Sequence, residues 1–134
     1  MDTWQSGRLV ELDEDECWEL LASRVVGRVA YDDGSGPVVL PLNYQAVDGR
    51  IRVRTAPHSV LGLRVRDRRV AFEVDDVDEF RSSGWSVLVR GRASIVDVDL
   101  HGRAEGPRTW VSGNRSLVLE IDADEVTGRR LMGS

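Results

Sequence analysis

Residues 50–61 read Arg-Ile-Arg-Val-Arg-Thr-Ala-Pro-His-Ser-Val-Leu, residues 70–74 read Val-Ala-Phe-Glu-Val, and residues 84–93 read Gly-Trp-Ser-Val-Leu-Val-Arg-Gly-Arg-Ala. The first run alternates: Ile51, Val53 and Thr55 share one face, Arg50, Arg52 and Arg54 the other, which is the period of a strand. Pro57 can begin a helix, with Val60, Leu61 and Val65 as its apolar positions. Arg69 to Val74 and Trp85 to Val96 read as two further strands. A strand that ends in hydroxyls at a helix start is a good place to hold a phosphate. Thr55 and Ser59 offer the hydroxyls, the helix start offers unpaired N–H groups, and Arg54 could add a fork of donors. The same residues suit a plain strand end and an ordinary helix cap.

Upstream, Leu9 to Leu12 leads into a helix capped by Asp13, with Glu16 three residues on as a variant capping box. Cys17, Leu20 and Leu21 form its apolar stripe, with Trp18 beside it. Val25 to Tyr31 alternates as a strand interrupted by Gly27, and residues 32–36 form a turn. Val38 to Tyr44 is a second strand with Pro41 inside it. Proline donates nothing to a ladder, so this strand is an edge, a bulge, or a place where a ligand replaces a neighbour. Asp48-Gly49 predicts a hairpin.

Downstream, Asp75 to Arg81 reads as an acidic connection. Asp97 to Arg108 reads as a short helix and loop, Ser116 to Ile121 as a last strand, and Asp122 to Val126 as an acidic helix start. The expectation is a single mainly β domain over residues 1–134: about six antiparallel strands and two or three short helices in a closed or half-open barrel.

Composition narrows the chemistry. Net charge is −5, from 18 basic and 23 acidic residues, which argues against a general affinity for nucleic acid. Every basic residue is Arg. No Schiff-base lysine, pyridoxal phosphate anchor or Walker A loop is available. No apolar run is long enough to span a membrane and no signal peptide is visible; with the lone Cys17, the cytoplasm is the expected compartment. His58 and His101 are the only histidines, and no ligand spacing for a metal exists. No G-x-S-x-G elbow or G-x-G-x-x-G loop occurs. Trp85 and Trp110 border strands, where an indole either stacks on a planar ligand or covers the core or an interface.

These residues bring a family into view. Val-Gly-Arg-Val-Ala at 26–30, Pro-Val-Val-Leu-Pro-Leu-Asn-Tyr at 37–44, Arg-Thr-Ala-Pro at 54–57, Val-Ala-Phe-Glu-Val-Asp at 70–75, Gly-Trp-Ser-Val-Leu-Val-Arg-Gly at 84–91 and Thr-Gly-Arg-Arg at 127–130 follow one another in a specific order. Over about residues 13–132 the chain resembles the pyridoxamine 5′-phosphate oxidase-like, split-barrel FMN-binding proteins, closest to their small nitroimidazole-reductase-like branch. The resemblance implies a six-stranded split β-barrel that forms a homodimer with FMN in clefts between subunits. Leu40, Pro41, Leu42 and Asn43 would run along the isoalloxazine. Arg54, Thr55 and Ser59 would face the phosphate, Trp85 and Ser86 would approach from the long strand, and Trp110 and Arg115 would close the site.

The turn departs from the family pattern. Relatives read Ala-Pro-Gly-Thr/Ser-Lys-Leu; here Ala56-Pro57-His58-Ser59-Val60-Leu61 puts His58 at the glycine and Val60 at the lysine. Losing that charged contact costs about 1.5–3 kcal/mol, ten- to a hundredfold in affinity. His58, if protonated near the site, would partly replace the lost cation. The expected activity is electron or hydride transfer between a nicotinamide and a small organic acceptor. Pyridoxamine phosphate itself is not expected as substrate, given the short C-terminus. The alternative is a member that has lost FMN and acts as a binding or regulatory module, or that holds a deazaflavin or a haem, with His58 as the haem ligand. No catalytic residue is assigned from the sequence.

Overall fold

The computed structural model describes residues 7–56, 64–98, 107, 109–110 and 117–133. Along the chain they form β1 (Arg8–Leu12), α1 (Glu14–Ala22), β2 (Val26–Asp32), β3 (Pro37–Asn43), β4 (Gln45–Val47), β5 (Arg50–Thr55), β6 (Arg69–Asp78), β7 (Ser83–Val98) and β8 (Leu117–Met132). The strands make one antiparallel sheet in the order β3-β2-β6-β7-β8-β5-β4, with β1 also on β8.

β8 is the spine. One edge pairs with β7 along nearly its whole length. The other edge is shared: Leu117–Asp122 take β5, and Gly128–Met132 take β1. The sheet therefore divides at β8, and it curls enough for β3 to touch β5. This is an antiparallel split barrel, open on one side.

Strand alternation sends Val29 and Tyr31, Ile51 and Val53, Phe72 and Val74, Val87 and Val89, and Leu119 and Ile121 into one core. Helix α1 covers it with Cys17 and Leu21, both fully buried. Its start is as expected: the Glu16 N–H donates to Asp13 Oδ1 at 2.9 Å, satisfying an otherwise orphaned donor. The Tyr44 hydroxyl donates to the Leu21 carbonyl near the helix end, and its ring meets Phe72 edge-on with centroids 4.9 Å apart. Gly27 is required for this packing, because a Cβ there would lie 2.3 Å from Phe72 Cζ. The Asp48-Gly49 hairpin forms with both residues at positive φ, 49° and 76°, the geometry that such a two-residue turn demands.

Several elements differ from the sequence reading. The described residues hold eight strands rather than six. The sequence leads Leu9–Leu12 into the helix, but they are a strand in their own right, paired with residues 128–132. Asp75–Asp78 are not a connection; β6 continues through them, each opposite a β7 residue. Asp122–Val126 do not start a helix but continue β8. Their acidity has another cause: Arg50 lies 3.7 Å from Asp122, Arg69 3.4 Å from Asp124 and Arg90 3.9 Å from Glu125. Asp97 and Val98 still belong to β7, while residues 99–106 of the expected short helix lie outside the described residues.

Candidate functional site

Two faces of the sheet compete for side chains. The inner face fills the core. On the outer face, cross-strand register sets Pro41 beside Arg28, Arg28 beside Glu73, Glu73 beside Leu88 and Leu88 beside Thr127. A second row sets Asp75 beside Ser86, Ser86 beside Arg129 and Arg129 beside Glu11.

Among the described residues β3 ends the sheet, so Pro41 sits on an edge strand, where its missing N–H costs least. Pro41 and Asn43 belong to the outer face. Leu40 and Leu42 lie opposite Val29 and Gly27 and belong to the inner one. Asn43 is a junction: its Nδ2 donates to the Val25 carbonyl at 3.2 Å, and its Oδ1 accepts the Trp110 backbone N–H at 2.8 Å. Asn43 and Trp110 are thus brought together, with the Trp110 residue largely exposed.

Arg54 and Thr55 end β5, on opposite faces. Thr55 is buried beside the inward Ile51 and Val53, and Arg54 shares the other face with Arg52. His58, Ser59, Val60 and Arg115 lie outside the described residues.

Trp85 and Ser86 also diverge. Trp85 is buried in the core cluster with the Arg24 guanidinium 5.6 Å over its ring. Ser86 faces outward and lines a cavity of about 570 Å³ with Glu11, Glu73, Leu88, Thr127 and Arg129. Between β3 and β7 stand β2 and β6, so three strand spacings, roughly 14 Å, separate Pro41 and Asn43 from Ser86.

Glu73 is the residue that sequence reading missed. Its carboxylate lies 3.3 Å from Arg28, which also reaches Asp75 at 3.2 Å. Burial pushes the Glu73 carboxyl up to about 7, the hydrogen bond and charge of Asp75 push the same way, and Arg28 opposes them. At neutral pH this group can hold or release a proton at the cavity wall. The signal was available: Val-Ala-Phe-Glu-Val puts a lone acid on the face opposite its apolar neighbours, and Val-Gly-Arg-Val-Ala does the same for Arg28. Only pairing of β2 with β6 joins them.

The cavity combines hydroxyl donors, carboxylates, an arginine and an apolar wall, and its volume is in the range of small-molecule sites. That donor set fits a flavin ring, which needs apolar contact on its face and hydrogen bonds at its polar edge. Among the described residues no group of three His, Cys, Asp or Glu side chains is placed to hold a metal. No described helix is long and apolar enough to cross a membrane.

Comparison with known proteins gives concordant results. The pyridoxamine 5′-phosphate oxidase family profile matches residues 13–130. An uncharacterised protein of Mycobacterium tuberculosis is 38% identical over 138 residues, spanning 96% of this chain and 90% of that one. The solved structure of an FAD-binding protein from Mycobacterium smegmatis matches with a TM-score of 0.72 at 28% identity, covering 92% of this chain and 98% of that one. An FAD-binding protein from Mesorhizobium loti shares the fold, with a TM-score of 0.70 at 20% identity over 93% of this chain and 98% of that one.

Proposed function

Because the chain belongs to the pyridoxamine 5′-phosphate oxidase family, we propose that it is a flavin-binding oxidoreductase that works as a homodimer in the cytoplasm. The match over residues 13–130 carries this reading. The 28% identical FAD-binding protein of Mycobacterium smegmatis supports a flavin in particular. A bound flavin would supply hydride and electron transfer, here between a nicotinamide donor and a small organic acceptor.

The chain's own residues would position and tune that group. Leu40, Pro41, Leu42 and Asn43 on the edge strand offer backbone groups to the ring, and Asn43 holds the Trp110 backbone beside them. Ser86 and Thr127 offer hydroxyls, and Arg129 a cation against negative charge on a reduced ring. Arg54, Thr55 and Ser59 would meet the phosphate. The separation of the edge strand from Ser86 supports a paired arrangement, in which one ring touches the edge of one copy and Ser86 of the other. A buried, unpaired Cys17 suits a reducing compartment.

Val60 favours a second reading, in which FMN binding is weakened or lost and the protein is a binding or regulatory module or holds a deazaflavin or haem. Absorbance of the purified protein and titration with FMN and FAD separate the readings. Flavin bands, or saturable binding of either flavin, support the proposal. A Soret band or a deazaflavin spectrum supports the second reading, and so does colourless protein that ignores both flavins. Val60→Lys should tighten FMN binding roughly ten- to a hundredfold, and His58→Ala should weaken it.

A further inference from the structure

Register places Val77, Gly84, Leu131 and Leu9 in one row on the outer face, across β6, β7, β8 and β1. Three of the four are exposed apolar side chains, at 64% for Val77, 38% for Leu131 and 59% for Leu9. The fourth has no side chain, so the row carries a notch. It holds a second cavity of about 190 Å³, with Val77, Leu131 and Leu9 as its apolar walls and Asp75, Ser86 and Arg129 beside them. The notch is built into the backbone: a Cβ on Gly84 would stand 2.5 Å from the Asp76 carbonyl oxygen.

Three residues beyond Val77, Phe80 is 96% exposed. It is the most exposed large apolar residue described, and it is not adrift. The turn carrying it is closed by the Arg81 N–H donating to Asp78 Oδ1 at 3.0 Å and by Ser82 at φ 51°. A held turn thus presents an aromatic ring to solvent beside an apolar notch that the ring does not enter.

We propose that the β6–β7 hairpin tip and this notch form a contact between two copies of the chain, the Phe80 ring of each seated in the notch of the other. Size supports it, since an apolar cavity of ~150 Å³ already accepts benzene. Charge supports it too. Arg81 and Glu79 flank the ring, while Asp75 and Arg129 stand at the notch, so each cation can meet an anion of the other copy. Knob and notch lie on one chain, so a twofold axis fills both at once, as an isologous contact requires. The inference deepens the paired reading above by naming a contact; it needs two copies but no flavin.

Sedimentation velocity without added flavin, from micromolar to submillimolar protein, tests it on wild type, Phe80→Ser and Val77→Arg. Phe80 is almost wholly exposed in its own chain, so the far-UV circular dichroism of Phe80→Ser should match wild type. Each dimer has two knobs, each worth roughly tenfold or more in affinity, so Phe80→Ser should weaken dimerisation on the order of a hundredfold. Val77→Arg, at the notch wall, should do likewise. Wild type that stays monomeric overturns the pairing itself and this contact with it. A wild-type dimer of unchanged affinity in both variants overturns the Phe80 contact and leaves the pairing standing.

Discussion

Replacing Glu73 with Gln should change how stability depends on pH. In the folded chain the Glu73 carboxyl is pushed from 4.5 to about 7 by burial and by Asp75, against the pull of Arg28. Between those values the folded protein keeps a proton that the unfolded chain has released. Unfolding therefore releases a proton, and rising pH favours it. The cost is absent below about 4.5, grows through the window and is complete above about 7. At about 1.4 kcal/mol per pH unit of displacement, a fully shielded carboxyl would cost roughly 3 kcal/mol. The Glu73 side chain is 36% exposed, so solvent screening reduces this to about 1–2 kcal/mol. Gln fills the same space and cannot ionise. Denaturant unfolding followed by tryptophan fluorescence, at pH 5 and above pH 8, gives the stability gap between variant and wild type. That gap should move toward the variant by about 1–2 kcal/mol as pH rises, or roughly 4–8 °C in Tm. Arg28→Gln should enlarge the wild-type slope, because Arg28 holds the Glu73 value down. A gap equal at both pH values would refute the reasoning.

Three further substitutions test the packing. Gly27→Ala would push a methyl into the buried Phe72 ring and should lower stability by about 1–3 kcal/mol in thermal denaturation, with the fold retained by circular dichroism. Asp13→Ala removes the cap on the Glu16 N–H and should cost about 1 kcal/mol, whereas Asp13→Asn should restore most of it. Arg52→Gln removes the 2.8 Å partner of the nearly buried Glu120 and leaves it Arg50 at 3.5 Å. Urea unfolding should show a loss of about 2 kcal/mol, and the double change with Glu120→Gln should cost less than the two separate losses combined.

The parts of the fold legible in the sequence were those fixed by short-range chemistry. Asp13 announces a cap and Asp48-Gly49 a tight turn, and Pro41 narrows its strand to an edge, a bulge or a ligand-facing segment, because each constrains its own backbone. The acidic runs misled for the same reason. Asp75–Asp78 and Asp122–Val126 look solvated or dipole-seeking when read locally, yet both are strand. What makes them strand is a ladder partner on another strand, such as Arg92 for Asp122 and Ser86 for Asp75. β1 is the extreme case, since residues 8–12 are a strand only because residues 128–132 lie beside them. The site divides along the same line. At Leu40–Asn43 one proline left an edge as one of three readings, and the sheet order selects it. Glu73 and its cavity need β1, β6, β7 and β8 side by side. Trp85 and Ser86 read as one approach to a ligand, but strand alternation turns them to opposite faces.

The shared edge of β8 bears on how the protein comes to be made. A ribosome delivers β8 after every other strand described, yet β7, β5 and β1 all await it. Arg8 must meet Met132 across a separation of 124 residues. Until then, among the described residues, β1 has no strand to pair with and β5 pairs with the short β4 alone. Such long-range pairing makes for slow folding, on the scale of milliseconds to seconds. Nascent chains halted before β8 should therefore be cut readily by protease, and protection should arrive in one step as that strand leaves the exit tunnel.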